Sequence, residues 1–153
     1  MEVDIIRIQK ENFNISAELS IFSEKNKYSG AISTFLGKVR KDSVLGNVKS
    51  IYIEHYEKMT RIQLLKCIKK AKEKWAINDL LIIHRFGKIR IGENIVLILT
   101  ASDHRKDSIE SLEYIIDWLK VKATFWKKEK TTNGDFWLSQ KSEDIKRSKK
   151  YLD

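Results

Sequence analysis

The chain has 153 residues, 42% of them hydrophobic and 33% charged, with a formal net charge of +9. That length and balance predict one globular domain over 1–153, exclude a disordered chain, and leave no apolar run near the ~20 residues of a membrane span. The excess of lysine and arginine favours an anionic partner, whether nucleic acid, an acidic protein or a phosphorylated metabolite, unless it is only a lysine-rich background.

The N-terminal string MEVDIIRIQKEN has acidic residues and no apolar signal core. With a lone cysteine, Cys67, that predicts a cytoplasmic protein without an internal disulfide. Val3 to Ile8 reads as a short strand, and Ser16 to Glu24 as a short helix with Ser16 as its N-cap. Tyr28 to Val39 reads as a strand interrupted by Gly30 and Gly37. Lys41 to Asn47 is polar and reads as a loop. Val48 to Tyr56 alternates, with Val48, Ser50, Tyr52, Glu54 and Tyr56 on one face and Ile51 and Ile53 on the other.

Thr60 and Gln63 have the spacing of a capping box and open a helix to about Trp75. Its expected buried stripe is Ile62, Leu65, Ile68, Ala71 and Trp75, with Cys67 beside it as a structural thiol. Leu80 to Phe86 and Glu93 to Ala101 read as an antiparallel pair joined between Gly87 and Gly92. The run Ile95 to Leu99 predicts a central strand for the second. A helix capped by Ser102 or Asp103 then runs to about Lys120, with Leu112, Ile115, Ile116 and Leu119 at helical spacing. Phe125 to Glu129 and Phe136 to Leu138 flank an Asn133–Gly134 hairpin signal, which calls for positive φ at both residues. A charged tail follows from about 139. Strands with two main helices and a C-terminal hairpin make the class α+β with a mostly antiparallel sheet.

The histidines His55, His84 and His104 lack metal-ligand spacing, and one cysteine does not make a thiolate zinc site, so no metal is expected. Neither a GxGxxG string nor a phosphate-loop motif occurs, and no cofactor is expected. Gly37 to Arg40 (GKVR) ends a strand, where sites often sit, but alone it reads as a solvated basic end. Ser102 to Arg105 (SDHR) sets cations against the dipole of a helix start; it is either an exposed capping turn or an anion site. Lys120 and Lys127 bracket the aromatic pair Phe125–Trp126. Spacing alone does not bring their ammonium groups together.

Read jointly, the strings GAISTFLGKVR (Gly30 to Arg40), IYIEHYEKMT (Ile51 to Thr60), IIHRFGKIRIGE (Ile82 to Glu93), TASDHR (Thr100 to Arg105) and LKVKATFWKKE leading to GDFW resemble the large, catalytic subunits of molybdopterin synthases. The resemblance runs from about Tyr28 to Leu138. It implies an α/β-hammerhead fold and a homodimer, each protomer binding one small ubiquitin-like sulfur-carrier subunit, a heterotetramer overall. It implies a sulfurtransferase that moves two sulfurs from the carrier's C-terminal Gly-Gly thiocarboxylate to cyclic pyranopterin monophosphate. The product is the dithiolene of molybdopterin, for molybdenum cofactor biosynthesis.

Carried over by residue, the resemblance implies that Lys120 and Lys127 are catalytic. It further implies that Arg40, His104 and Arg105 hold the phosphate region, and that Lys38, Val39, Lys128 and Glu129 flank the substrate. Thr124 stands where the family often has proline, which would loosen the turn between the lysines. A tuned lysine suits general acid–base work, and partial burial with clustered positive charge favours such tuning. The competing classes are a basic nucleic-acid-binding module and a noncatalytic scaffold for an acidic ubiquitin-like partner; neither a nucleic-acid nor a membrane partner is expected.

Overall fold

The computed structural model describes residues 5–43, 46–122, 125–138, 146 and 149. Thr124, the first residues of the expected opening strand, and nearly all of the charged tail lie outside the described residues.

Nine strands and three helices follow one another among the described residues: β1 (Ile6–Gln9), α1 (Ile15–Lys25), β2 (Ala31–Lys38), β3 (Asp42–Ser43), β4 (Gly46–His55), α2 (Glu57–Lys74), β5 (Asp79–Arg85), β6 (Gly87–Arg90), β7 (Asn94–Ser102), α3 (Arg105–Val121), β8 (Phe125–Thr131) and β9 (Gly134–Trp137). They form two sheets. The first has the order β1-β5-β7-β2, with only the β1–β5 pair parallel. In the second, β8 lies between β4 and β9, while β3 and β6 share the other edge of β4. The α+β expectation holds. No described helix is long and apolar enough to cross a membrane.

The apolar run of β7 does mark a central strand, because both faces of the first sheet are covered. Alternate residues divide between two cores. Leu80, Ile82, Val96 and Ile98 join Ile115 and Trp118 of α3 and Leu64 and Ile68 of α2. Leu81, Ile83, Leu97, Leu99 and Ala101 face the other way, with Phe22 of α1.

Several local expectations change. Asn14, not Ser16, caps α1, its side chain accepting from the Ala17 N–H at 3.0 Å. The expected loop from Lys41 holds a short hairpin, β3 with the start of β4. A register shift between Val48 and Ser50 turns Val48 to the inner face with Ile51 and Ile53, while Ser50 stays on the outer face with Tyr52 and Glu54, since one extra residue swaps faces in a period of two. In α2 the buried stripe is Thr60, Leu64, Cys67, Ile68 and Ala71, and Ile62 is 57% exposed. Thr60 is inside the helix, so no capping box forms; its hydroxyl lies 3.3 Å from Nδ1 of His55. This stripe is the face that packs on α3, where Tyr114, Ile115 and Trp118 share its core. In α3 the most buried face is Ser108, Ser111, Tyr114, Ile115, Asp117 and Trp118, with Leu112, Ile116 and Leu119 beside it.

The β8–β9 hairpin forms, but Thr131 pairs with Gly134, so the turn residues are Thr132 and Asn133. Only Gly134 of the Asn-Gly pair takes positive φ, at 118°. The Thr131 hydroxyl closes the turn instead, donating to the Gly134 carbonyl at 2.8 Å and accepting from the Asn133 N–H at 3.1 Å.

Candidate functional site

The candidate residues fall into two groups at opposite ends of α3. Lys120 is in its last turn, and the chain then returns as β8, which carries Lys127. In β8 the period of two sets Phe125, Lys127 and Glu129 on the face shared with Ile53 and Ile51, which is the inner face of the second sheet. Lys127 is half-buried there and Lys120 is exposed. Glu129 is buried and accepts a hydrogen bond from the Ser43 hydroxyl at 2.7 Å.

Lys128 points the other way. It shares a row across the outer face with Lys88, Tyr52 and Trp137, and its ammonium lies 5.7 Å from the Trp137 ring centre. An open cleft of about 350 Å³ on that face takes Lys128, Lys88, Lys130, Tyr52 and Trp137 into its walls. The structure therefore separates Lys128 from Lys127 and Glu129, although the three are adjacent in sequence.

Both lysines act electrostatically on a residue the site reading passed over. His84, at the end of β5, is buried and stacks on Phe125 with ring centres 3.7 Å apart and planes 13° apart. Its Nδ1–H donates to the Arg85 carbonyl at 2.8 Å, which leaves Nε2 as the unprotonated nitrogen. Its pKa is held down to about 3, first by burial and then by the charge of Lys127, with Lys120 and His55 adding to the same effect. Both lysines therefore act on one imidazole. His55 and Phe86 complete the aromatic group, with ring centres 4.6 Å apart, and burial also lowers the His55 pKa. The signal for His84 was a polar His-Arg pair closing the apolar run Leu80 to Ile83.

Around the first sheet, Lys38 and Arg40 are exposed at the same end as His84. Val39 between them is 5% exposed and belongs to the core. Its N–H donates to the Glu93 carbonyl and its carbonyl accepts from the Gly92 N–H, so it anchors its two cationic neighbours. Arg85 is buried next to His84 and ties this end together, donating to the Lys10 and Asn94 carbonyls at 3.0 and 2.8 Å and to Glu93 at 3.2 Å.

His104 and Arg105 are at the other end of α3. Along a helix, Arg105 and Lys120 are roughly 22 Å apart. His104, rather than Ser102 or Asp103, is the N-cap, with extended backbone and no side-chain cap bond. Ser102 ends β7, and Asp103 accepts from the Asn78 amide at 2.8 Å. The first turn of α3 is pinned by hydroxyls: Ser33 and Ser108 are 2.6 Å apart, and Thr100 donates to the Ser108 carbonyl at 2.8 Å. Gly30 permits the close approach of the preceding loop, since a Cβ there would be 2.0 Å from the Asp103 carbonyl oxygen. Both side chains are exposed, at a helix start whose N-cap residue makes no side-chain cap bond.

Cys67 is fully buried, and burial pushes its thiol upward, so it is a structural residue and not a nucleophile.

The chain matches the family model described as MoaE protein over residues 8–122. It is 35% identical to the molybdopterin synthase catalytic subunit of Haemophilus ducreyi, over 99% of each chain. It is 39% identical to that of Pasteurella multocida, over 91% of this chain and 92% of the relative. Among solved structures it resembles the molybdopterin biosynthesis MoaE protein of Burkholderia ambifaria, with a TM-score of 0.77, 36% identity and coverage of 93% and 95%. It also resembles a chain in the protein–protein complex of subunits 1 and 2 of the molybdopterin-converting factor from Helicobacter pylori, with a TM-score of 0.75, 25% identity and coverage of 90% and 92%. This chain belongs to the MoaE family.

Proposed function

We propose that this protein is the catalytic subunit of a cytoplasmic molybdopterin synthase, a sulfurtransferase that converts cyclic pyranopterin monophosphate to molybdopterin. The observation that carries the reading is buried His84 stacked on Phe125, at the start of the strand that carries Lys127, in a chain whose lone thiol is sealed in the core; the charges of Lys127 and Lys120 both help to keep its imidazole neutral. The sulfur then comes from outside, as the C-terminal thiocarboxylate of a small ubiquitin-like carrier. The net charge of +9 suits both that anion and the phosphorylated substrate.

Lys120, exposed at the mouth, contacts the thiocarboxylate or the acyl group that forms from it. Lys127, half-buried, polarises the substrate and transfers a proton as sulfur adds. Arg40 stands at the same end, while His104 and Arg105 hold phosphate through the guanidinium fork and the free N–H groups of the α3 start. A pterin-sized substrate does not span the roughly 22 Å between the two ends of α3. A homodimer that sets the α3 start of one protomer against the lysine pair of its partner resolves this, and with two carriers gives a heterotetramer.

The test is reconstitution: the protein, thiocarboxylated carrier and cyclic pyranopterin monophosphate are mixed and dithiolene product is assayed. Product is expected from the native protein. Absence of product with a carrier that binds would overturn the reading.

A further inference from the structure

We propose that the stack of buried His84 on Phe125 is the positioning device for Lys127, with His84 acting as a positioning residue and not as a catalytic one. The inference rests on the role given to Lys127 above.

Phe125 is the first residue of β8 and projects from the same face as Lys127, two residues on. Lys127 is the third residue of β8, so its position depends on where that strand starts. On the second sheet that point is the pairing of Phe125 with His55. On the first sheet it is His84, nearly parallel to the Phe125 ring at 3.7 Å. The imidazole plane is itself fixed by the Nδ1–H bond to the Arg85 carbonyl. Arg85 is bound in turn to the Lys10 and Asn94 carbonyls, so the stack is referred to the rigid end of the first sheet. His84 is thus a bridge between the two sheets at the place where Lys127 emerges.

A ring that stays uncharged is required there. The groups facing it are Lys127 from β8, Lys120 from α3 and His55 from β4, and a third full charge would repel both ammonium groups. Neutral imidazole supplies the stacking plane and the Nδ1–H donor without that charge. Phenylalanine supplies the plane alone.

The test compares His84→Ala, His84→Phe and Phe125→Ala in steady-state conversion with thiocarboxylated carrier, each checked for folding by thermal melting. Displacing a catalytic group by about 1 Å costs on the order of 100-fold, so kcat is expected to fall about tenfold or more in His84→Ala and Phe125→Ala, with KM unchanged. His84→Phe keeps a ring to stack and is expected to fall between His84→Ala and the native protein. The double variant His84→Ala with Phe125→Ala is expected to be no slower than either single one, because both remove one device. Native kcat in His84→Ala, a His84→Phe variant as slow as His84→Ala, or additive losses would each overturn the proposal. Lys127→Ala runs beside them: if it converts substrate at the native rate, the role of Lys127 fails, whereas if it is inactive while His84→Ala is native, only the positioning proposal fails.

Discussion

At the C-terminal end of α3, Lys120 and Lys127 act on an aromatic group built from buried His84 and half-buried Phe125 and His55. At its N-terminal end, His104 and Arg105 project into solvent from a turn pinned by Ser33, Thr100 and Ser108. Both ends are cationic, but their surroundings suit different tasks. A half-buried lysine beside a second lysine and a neutral wall is placed to exchange a proton. An exposed arginine beside uncapped N–H groups is placed to hold an anion and leave the proton where it is.

The sharpest way to separate the two ends is by kinetics. Lys127→Ala is expected to lower kcat about 10²- to 10⁴-fold without weakening the carrier complex, as loss of a proton-transfer group does. Arg105→Ala is expected to raise KM for cyclic pyranopterin monophosphate about 10- to 100-fold with a smaller change in kcat, the scale of one charge-assisted hydrogen-bond site. The same kinetic signature from both variants would erase the distinction.

Acid separates the ends next. His84 is neutral in the folded chain down to about pH 3, whereas in the unfolded chain it takes up a proton below about 6.5. The unfolded state therefore binds more protons in that window, and stability falls as pH drops through it, by on the order of a few kcal/mol. His84→Phe is expected to flatten that decline in denaturant titrations at stepped pH, and an unchanged decline would contradict it.

Gly30→Ala probes the α3 start. The added Cβ meets the Asp103 carbonyl at 2.0 Å, and relief of such overlap costs about 1–3 kcal/mol. Denaturant melting is expected to show that loss, and KM is expected to rise while kcat holds. The smallest effect is expected from Lys128→Ala. Its side chain is on the outer face with Trp137, so conversion is expected to stay within about twofold of native.

The sequence carried the elements further than it carried their faces. The run Ile95 to Leu99 marked a central strand because burial on both sides leaves no polar alternation to misread. The stripe of α2 was harder: Ile62 is more apolar than Thr60, yet the line Thr60–Leu64–Cys67–Ala71 is the buried one, and tertiary contact decides which line is inside. The hairpin at Gly134 was legible from Asn-Gly, though the turn is set one residue earlier than the motif requires.

In the site, resemblance nominated Lys120 and Lys127, but the residue on which both charges act, His84, is 36 and 43 positions away in the chain and visible only once β5 and β8 are packed. The resemblance set Lys128 and Glu129 beside the substrate with Lys127, and the strand period divides the three between two faces.

The central claim is that one working site joins the lysine pair of one protomer to the α3 start of another. Lys127→Ala and Arg105→Ala are each made as homodimers, mixed under conditions that exchange protomers, and assayed for dithiolene product at a substrate concentration where neither converts measurably alone. The account predicts that conversion appears on mixing, because a mixed dimer holds one site with both ends intact. Continued inactivity after demonstrated exchange would contradict it.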